Sequence, residues 1–197
     1  DTKPTETPVL LDMTAGFGNL WPFLSNCSIT AFENNSNTYQ YLSSVSRMFN
    51  HLRRDHEFLP RIHDIINENV LTTSLSSSAH GDDLGYDYIL ATPDFAKTNN
   101  SVTLPFPDSK GAYHFEVKSD RLDHHVAILG LQHLKPNGRM VFLLDVEKPQ
   151  AISRMESYFY QYIHTYFNVD LIVEMSAGLF YGSGHEGNVR MHVIAGK

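Results

Sequence analysis

The stretch Leu10-Leu11-Asp12-Met13-Thr14-Ala15-Gly16-Phe17-Gly18-Asn19-Leu20 constrains the fold more than any other part of the chain. A short apolar run, Val9–Met13, ends in a turn that carries two glycines. Such a run, bounded by glycine, reads as a strand buried on both faces. Glycine takes positive φ without cost and lets the backbone come close to a ligand. The strand carries an acid, Asp12, near its end. In open α/β sheets, ligands bind beyond the carboxyl ends of the strands.

The apolar pattern beyond this turn alternates between strand and helix. Asn19–Leu24 reads as a short helix and Ser28–Glu33 as a second strand. Asn37–Leu52 has Tyr41, Leu42, Val45, Met48, Phe49 and Leu52 at helical spacing. Arg61–Asn67 and Tyr86–Ala91 read as the third and fourth strands. Asn99–Ala112 holds two prolines among polar residues and reads as a long loop. Arg121–Leu134 is a helix stopped by Pro136-Asn137-Gly138, and Arg139–Asp145 a fifth strand. Gln150–Phe167 is an aromatic-rich helix, and Asn168–Met175 and Asn188–Ala195 are the last strands. This alternation predicts an α/β, Rossmann-like domain: a mostly parallel seven-stranded sheet with helices on both faces. The last two strands have no helix between them and should form an antiparallel C-terminal hairpin across Ser176–Gly187. Residues 1–8 read as a linker or cut edge, and 9–197 as one domain.

With 197 residues and 42% hydrophobic content, the chain has the length and composition for a single globular core. Its net charge of −7 argues against gripping a phosphate backbone by overall field. A nucleic-acid substrate would need a local basic surface or one supplied by a partner. The single cysteine, Cys27, excludes a disulfide framework and a cysteine-rich metal site. It reads as a small buried hydrophobe in a reducing, cytoplasmic compartment. No apolar run reaches membrane-spanning length, so no membrane is expected as a partner. His124 and His125 are adjacent and point apart on a helix. No His or acidic set has metal-site spacing, and the histidines read as scattered surface or helix-face residues. Tyr158, Phe159, Tyr160, Tyr162, Tyr166 and Phe167 form an aromatic belt suited to packing or a protein interface. Arg47 and Arg53-Arg54 fit either a phosphate contact or an exposed helix end.

Asp12–Gly18 resembles the D/E-x-x-A-G-x-G loop of class I S-adenosylmethionine-dependent methyltransferases. By that resemblance Asp12, Thr14, Ala15, Gly16 and Gly18 would hold the methionine part of S-adenosylmethionine. Ile29-Thr30-Ala31-Phe32-Glu33 ends in an acid, and Glu33 would accept hydrogen bonds from the ribose hydroxyls. Asn69 fills the slot that faces adenine, with Glu68 as its competitor. Thr92-Pro93-Asp94-Phe95 follows the fourth strand and resembles a degenerate N-P-P-F motif of amino-methyltransferases. The resemblance gives Thr92 and Pro93 the target amine and Phe95 a stacking role on a flipped base. Asp94 stands where the family has its second proline and adds a charge beside the target. Leu134-Lys135-Pro136-Asn137-Gly138-Arg139-Met140-Val141 is similar to the turn before the fifth strand of many methyltransferases. The closing stretch from Ala177 is similar to the hairpin of methyltransferase domains fused to plasmid and phage helicase-like proteins. The resemblance runs from Val9 to Lys197. It implies a class I methyltransferase fold, S-adenosylmethionine as cofactor, and DNA adenine as target. The changes at Thr92 and Asp94 leave an alternative open: a catalytically inactive domain acting as a scaffold among other protein subunits.

Overall fold

The computed structural model describes residues 7–73, 75, 85–96, 102–108, 111–117, 119–146, 154–176, 178, 179 and 187–196, with backbone alone at 102–117 and 154–158. The first strand, β1, is Val9–Asp12, and it lies inside the sheet. Its side chains alternate: Leu10 enters one core cluster and Leu11 the cluster on the other face. A single 3-10 turn, Trp21–Phe23, follows, with Pro22 inside it. β2 (Ser28–Phe32) is buried along its whole length. α1 (Ser36–Leu52) starts at Asn35, whose side chain accepts from the Asn37 and Thr38 amides at 3.0 and 3.2 Å. Leu42 and Phe49, seven residues apart on one helix face, pack with Leu10, Trp21, Ile29, Ala31 and Ile62.

β3 (Arg61–Ile66) and β4 (Tyr86–Ala91) complete the first half of the sheet. β5 (Val102–Asp108) and β6 (Gly111–Val117) form a separate antiparallel pair in which Leu104 lies opposite Phe115. This corrects the long loop expected over Asn99–Ala112. Pro105 and Pro107 hid the alternation of Val102, Leu104 and Phe106. Both strands of a two-strand ribbon are edges, where a residue without an N–H is tolerated.

α2 (Leu122–Gln132), β7 (Leu134–Asp145), α3 (Arg154–Tyr166), β8 (Asn168–Met175) and β9 (Val189–Ala195) form the second half. β7 begins at Leu134, five residues before the expected start. The Pro136-Asn137-Gly138 turn is an irregularity within the strand: the ladder steps from Tyr86↔Leu134 to Tyr88↔Arg139, and Asn137 takes φ +66°. Val126, Ile128 and Leu131 of α2 and Phe159 and Ile163 of α3 cover the face opposite α1, over Leu11, Ile89, Met140 and Phe142. At Gly130, α2 comes so near the sheet that an added Cβ would meet the Met140 Cε at 2.6 Å.

The sheet order is β3-β2-β1-β4-β7-β9-β8. The β1–β2, β1–β4, β2–β3 and β4–β7 pairs are parallel. β9 pairs antiparallel with both β7 and β8, which gives the expected C-terminal hairpin. The order reverses beside β1, so a crevice opens past the ends of β1 and β4. No helix among the described residues is long and apolar enough to cross a membrane.

Candidate cofactor site

The glycine loop is held by backbone bonds to both neighbours of β1. The Met13 N–H donates to the Leu90 carbonyl of β4 at 2.9 Å, and the Ala15 N–H to the Phe32 carbonyl of β2 at 3.0 Å. The loop then folds on itself: Gly18 N–H donates to the Ala15 carbonyl and Trp21 N–H to the Gly18 carbonyl. Gly16 and Gly18 take φ of +54° and +71°, the region where a side chain is costly. At Gly18 an added Cβ would also lie 2.9 Å from Leu42 and 3.1 Å from the Trp21 ring.

A cavity of about 540 Å³ opens over this loop, a size usual for a small-molecule site. Its wall comes from four strand ends and the first turns of α2. It takes in Asp12–Phe17, Asn19 and Leu20 from the glycine loop and Phe32–Asn35 with Thr38 from the β2–α1 junction. Glu68–Leu71 follow β3, Thr92–Asp94 follow β4, and Leu122 and Val126 belong to α2. Of the residues singled out in the sequence, Asp12, Thr14, Ala15, Gly16, Glu33, Asn69, Glu68, Thr92, Pro93 and Asp94 line this space. Gly18 lies beneath it as a packing glycine against Trp21 and Leu42. Phe95 is half-buried and does not line the cavity.

Asp12 is buried, and its Oδ2 accepts a 3.0 Å hydrogen bond from the Trp21 indole. Burial raises its carboxyl to about 6, against the pull of the Trp21 and Thr14 hydrogen bonds and with a smaller push from Glu33. Glu33 Oε1 accepts the Asn35 amide at 2.7 Å, and Asn69 Oδ1 accepts the Leu71 amide at 3.0 Å. Glu68 accepts the Thr73 hydroxyl at 2.7 Å. Glu68 and Asn69 both face the cavity, so the structure does not choose between them.

The glycine loop and the segment after β4 are tied together. The Thr92 N–H donates to the Thr14 hydroxyl at 2.8 Å, and the two hydroxyls lie 3.4 Å apart. The Thr92 and Asp94 side chains are exposed, while Pro93 is buried.

Trp21 and the apolar lining at Phe17, Leu20, Leu122 and Val126 were not singled out as site residues in the sequence. The one available signal for Trp21 was its rarity: it is the chain's one tryptophan, nine residues after Asp12.

A second polar cluster braces the start of α2. The Arg121 guanidinium pairs with the buried Asp123 carboxylate at 2.5 Å and donates to the Asp145 carbonyl at 2.6 Å. Asp123 in turn accepts the Asp145 N–H at 2.9 Å, so the head of α2 is fixed to the end of β7. His124, stacked on Phe159 at 4.3 Å, bonds the Ser119 hydroxyl through Nδ1 at 3.1 Å. His125 reaches the Ser119 carbonyl at 2.7 Å. His192 stacks on Phe142 at 5.1 Å. All three imidazoles are buried, which corrects the expected surface or helix-face placement for these three, while His51, His56, His63 and His164 are exposed as expected. Phe159 and Tyr162 of the aromatic belt are core residues. Cys27 is buried just before β2; of the closing stretch, 177, 180–186 and 197 lie outside the described residues.

No protein-family model matches the chain, and no curated protein matches its sequence. Solved structures do match in fold. A Listeria monocytogenes protein described as a class I S-adenosylmethionine-dependent methyltransferase superposes with a TM-score of 0.61 at 12% identity, over 98% of this chain and 55% of that one. The N-methyltransferase NodS from Bradyrhizobium japonicum gives 0.54 at 10% identity, over 96% and 85%. TYW2 from P. horikoshii, in complex with MeSAdo, gives 0.50 at 15% identity, over 96% and 57%. The chain thus spans little more than half the length of the Listeria and P. horikoshii proteins. Together with the strand order, these likenesses give the class: a class I methyltransferase fold.

Proposed function

We propose that the chain binds S-adenosylmethionine and methylates an amine nitrogen of the adenine N6 type in DNA. The observation that carries this reading is the charge of the cavity. Asp12, Glu33, Glu68 and Asp94 line it, and no Lys, Arg or His does among the described residues. Such a wall favours a cation and disfavours phosphate. Two of the first α1 amides, Asn37 and Thr38, are taken by the Asn35 side chain and so are not offered to a phosphate. S-adenosylmethionine carries a sulfonium and no phosphate, and it supplies an electrophilic methyl group when bound.

The chain's residues divide the work accordingly. Asp12 offers a carboxylate to the cationic amino-acid part, Glu33 a carboxylate to the ribose hydroxyls, and Asn69 or Glu68 a polar group to adenine. Thr92 and Pro93 stand at the acceptor side, where a hydroxyl and a carbonyl oxygen can orient an amine lone pair. As the N–CH3 bond forms and the S–CH3 bond breaks, with S-adenosylhomocysteine as the leaving group, the nitrogen carries an extra proton, which the exposed Asp94 carboxylate in the cavity lining can accept.

A second reading, an inactive scaffold, is favoured by one placement. Phe95, the aromatic that would stack on a base, is outside the cavity lining.

Titration calorimetry with S-adenosylmethionine and with S-adenosylhomocysteine tests the first reading. Binding of both is expected, tighter for the sulfonium form because it adds a second positive charge to the ammonium that both ligands carry. No binding of either sinks it. Binding without methyl transfer to adenine-containing DNA supports the scaffold.

A further inference from the structure

A second concave surface lies away from the cavity, between the end of α1 and the start of β3. It encloses about 440 Å³ and is lined by Asn50, Arg53, Arg54, Arg61, Ile62 and His63. We propose that this groove is a docking site for the phosphate backbone of DNA, deepening the reading of the cavity as a nucleic-acid methyltransferase site, on which it rests.

Its shape follows from one side chain. The Asn50 amide donates to the Ile62 carbonyl at 2.9 Å and its oxygen accepts the Ile62 N–H at 3.0 Å. It therefore stands in for a strand partner on β3, the edge of the sheet. Ile62 turns into the core, and its neighbours Arg61 and His63 are left on the outer surface. Arg53 lines the groove and is held there by an Nε–H bond to the Leu59 carbonyl at 3.1 Å. The exposed Arg54 and Arg61 guanidiniums make no side-chain hydrogen bond or ion pair among the described residues.

The acids of this stretch, Asp55, Glu57 and Asp64, do not line the groove. In a chain of net charge −7, three arginines on one concavity form a local basic surface of the kind that overall composition does not provide. Guanidinium forks match phosphate oxygens in pairs. Arg47, exposed on α1 one turn before Asn50 of the groove wall, adds a further cation beside it. A row of cations suits a polyanion better than a lone phosphate ion. β3 runs from Arg61 at the groove to Ile66, just before Glu68 and Asn69 at the cavity wall. That is about 20 Å, or the rise of about six base pairs. A duplex following this edge would be anchored by its backbone while its target lies farther along.

The test is fluorescence anisotropy of a labelled DNA duplex, about two helical turns long, titrated with the full chain at low and at physiological salt. The Arg54→Glu, Arg61→Glu double variant, both positions exposed, should bind at least about tenfold more weakly. Its log–log salt slope should be shallower by about 2. Its melting temperature should match that of the unmodified protein. Unchanged affinity and slope in the variant overturn the proposal. So does tight binding to anionic phospholipid vesicles, lost in the same variant, when DNA does not bind. A response to inorganic phosphate alone, with no DNA binding, also overturns it. Calorimetry with S-adenosylmethionine on the same samples separates the two readings. Cofactor binding that survives in the variant while DNA binding falls supports both. Absent cofactor binding in the unmodified protein removes the enzyme reading, and the anisotropy then judges the groove by itself.

Discussion

The indole N–H of Trp21 donates to Oδ2 of Asp12 at 3.0 Å, and both side chains are buried under the glycine loop. Trp21 is therefore a built-in reporter of the candidate cofactor site. Its emission should shift as pH passes through about 6, where burial has placed the Asp12 carboxyl. A cationic ligand favours the charged carboxylate. S-adenosylmethionine affinity should accordingly fall as pH drops below 6, by up to about tenfold for each pH unit. Asp12→Asn keeps an oxygen for the indole and should abolish this pH dependence. Trp21→Phe leaves the buried carboxylate with the Thr14 amide alone at 3.4 Å and should destabilise the fold by about 2 kcal/mol. Fluorescence titration and urea melts check these outcomes. A pH-independent emission between pH 5 and 7 (about one unit either side of the Asp12 midpoint) would refute the link.

Stability should fall on acidification, and His192 should account for much of it. Burial pushes the His124 and His192 imidazoles down to about 4, with the Arg121 guanidinium adding to the effect at His124. A depressed imidazole contributes stability that is fully present above its ordinary value near 6.5. That stability drains away as pH falls toward 4. Each of these two is worth about 3 kcal/mol. Asp12, raised to about 6, works the other way: its contribution is complete below 3.8 and lost as pH rises through 6. From these three groups, acidification from pH 7 to 4 should cost a net of about 3 kcal/mol. Neither ring nitrogen of His192 has a hydrogen-bond partner of good geometry among the described residues, so His192→Phe removes a titrating group at small polar cost. In that variant the loss should shrink to near zero, read from urea midpoints across the same range.

The two loop glycines should respond differently to alanine. At Gly16 an added Cβ meets nothing within 4 Å, so Gly16→Ala should cost only the strain of φ +54°, about 1 kcal/mol. At Gly18 the same strain is joined by contact with Leu42 and Trp21, and Gly18→Ala should cost clearly more. Thermal melts of the pair give the order directly. Equal losses would show that the Trp21–Leu42 packing under the loop is looser than described.

The sheet was legible because its central strands are short apolar runs with turns at their ends. β1, β2 and β4 were found within a residue of their bounds, since burial on both faces leaves a continuous apolar signal. Four strand ends then brought Asp12, Glu33, Asn69 and Thr92 to one cavity, a convergence that follows from parallel order. The rest depended on contacts distant in sequence. Trp21 sits in a single 3-10 turn, which has no periodicity to read, and its burial follows from Asp12 and from the Leu42 and Phe49 side chains of α1. The histidines look polar in sequence; Phe159 and Phe142, 35 and 50 residues away from His124 and His192 respectively, make them core residues. β5 was hidden by its two prolines, and the start of β7 by a turn that the strand absorbs. Phe95 matched a motif by type, and its backbone course carried it past the cavity.

The sheet order also makes the chain divisible. β1 to β4 occupy one side of the sheet and β7 to β9 the other, and among the described residues the β4–β7 pair is the one sheet ladder that spans them. All of the cavity lining except Leu122 and Val126 precedes that seam in the chain. Two fragments, parted in the segment between β4 and α2, would each carry one side. Reassembly would zip along Tyr86–Ala91 and close the cavity with Leu122 and Val126 when α2 returns, so complementation in trans would report on this ladder and on the α2 packing over it.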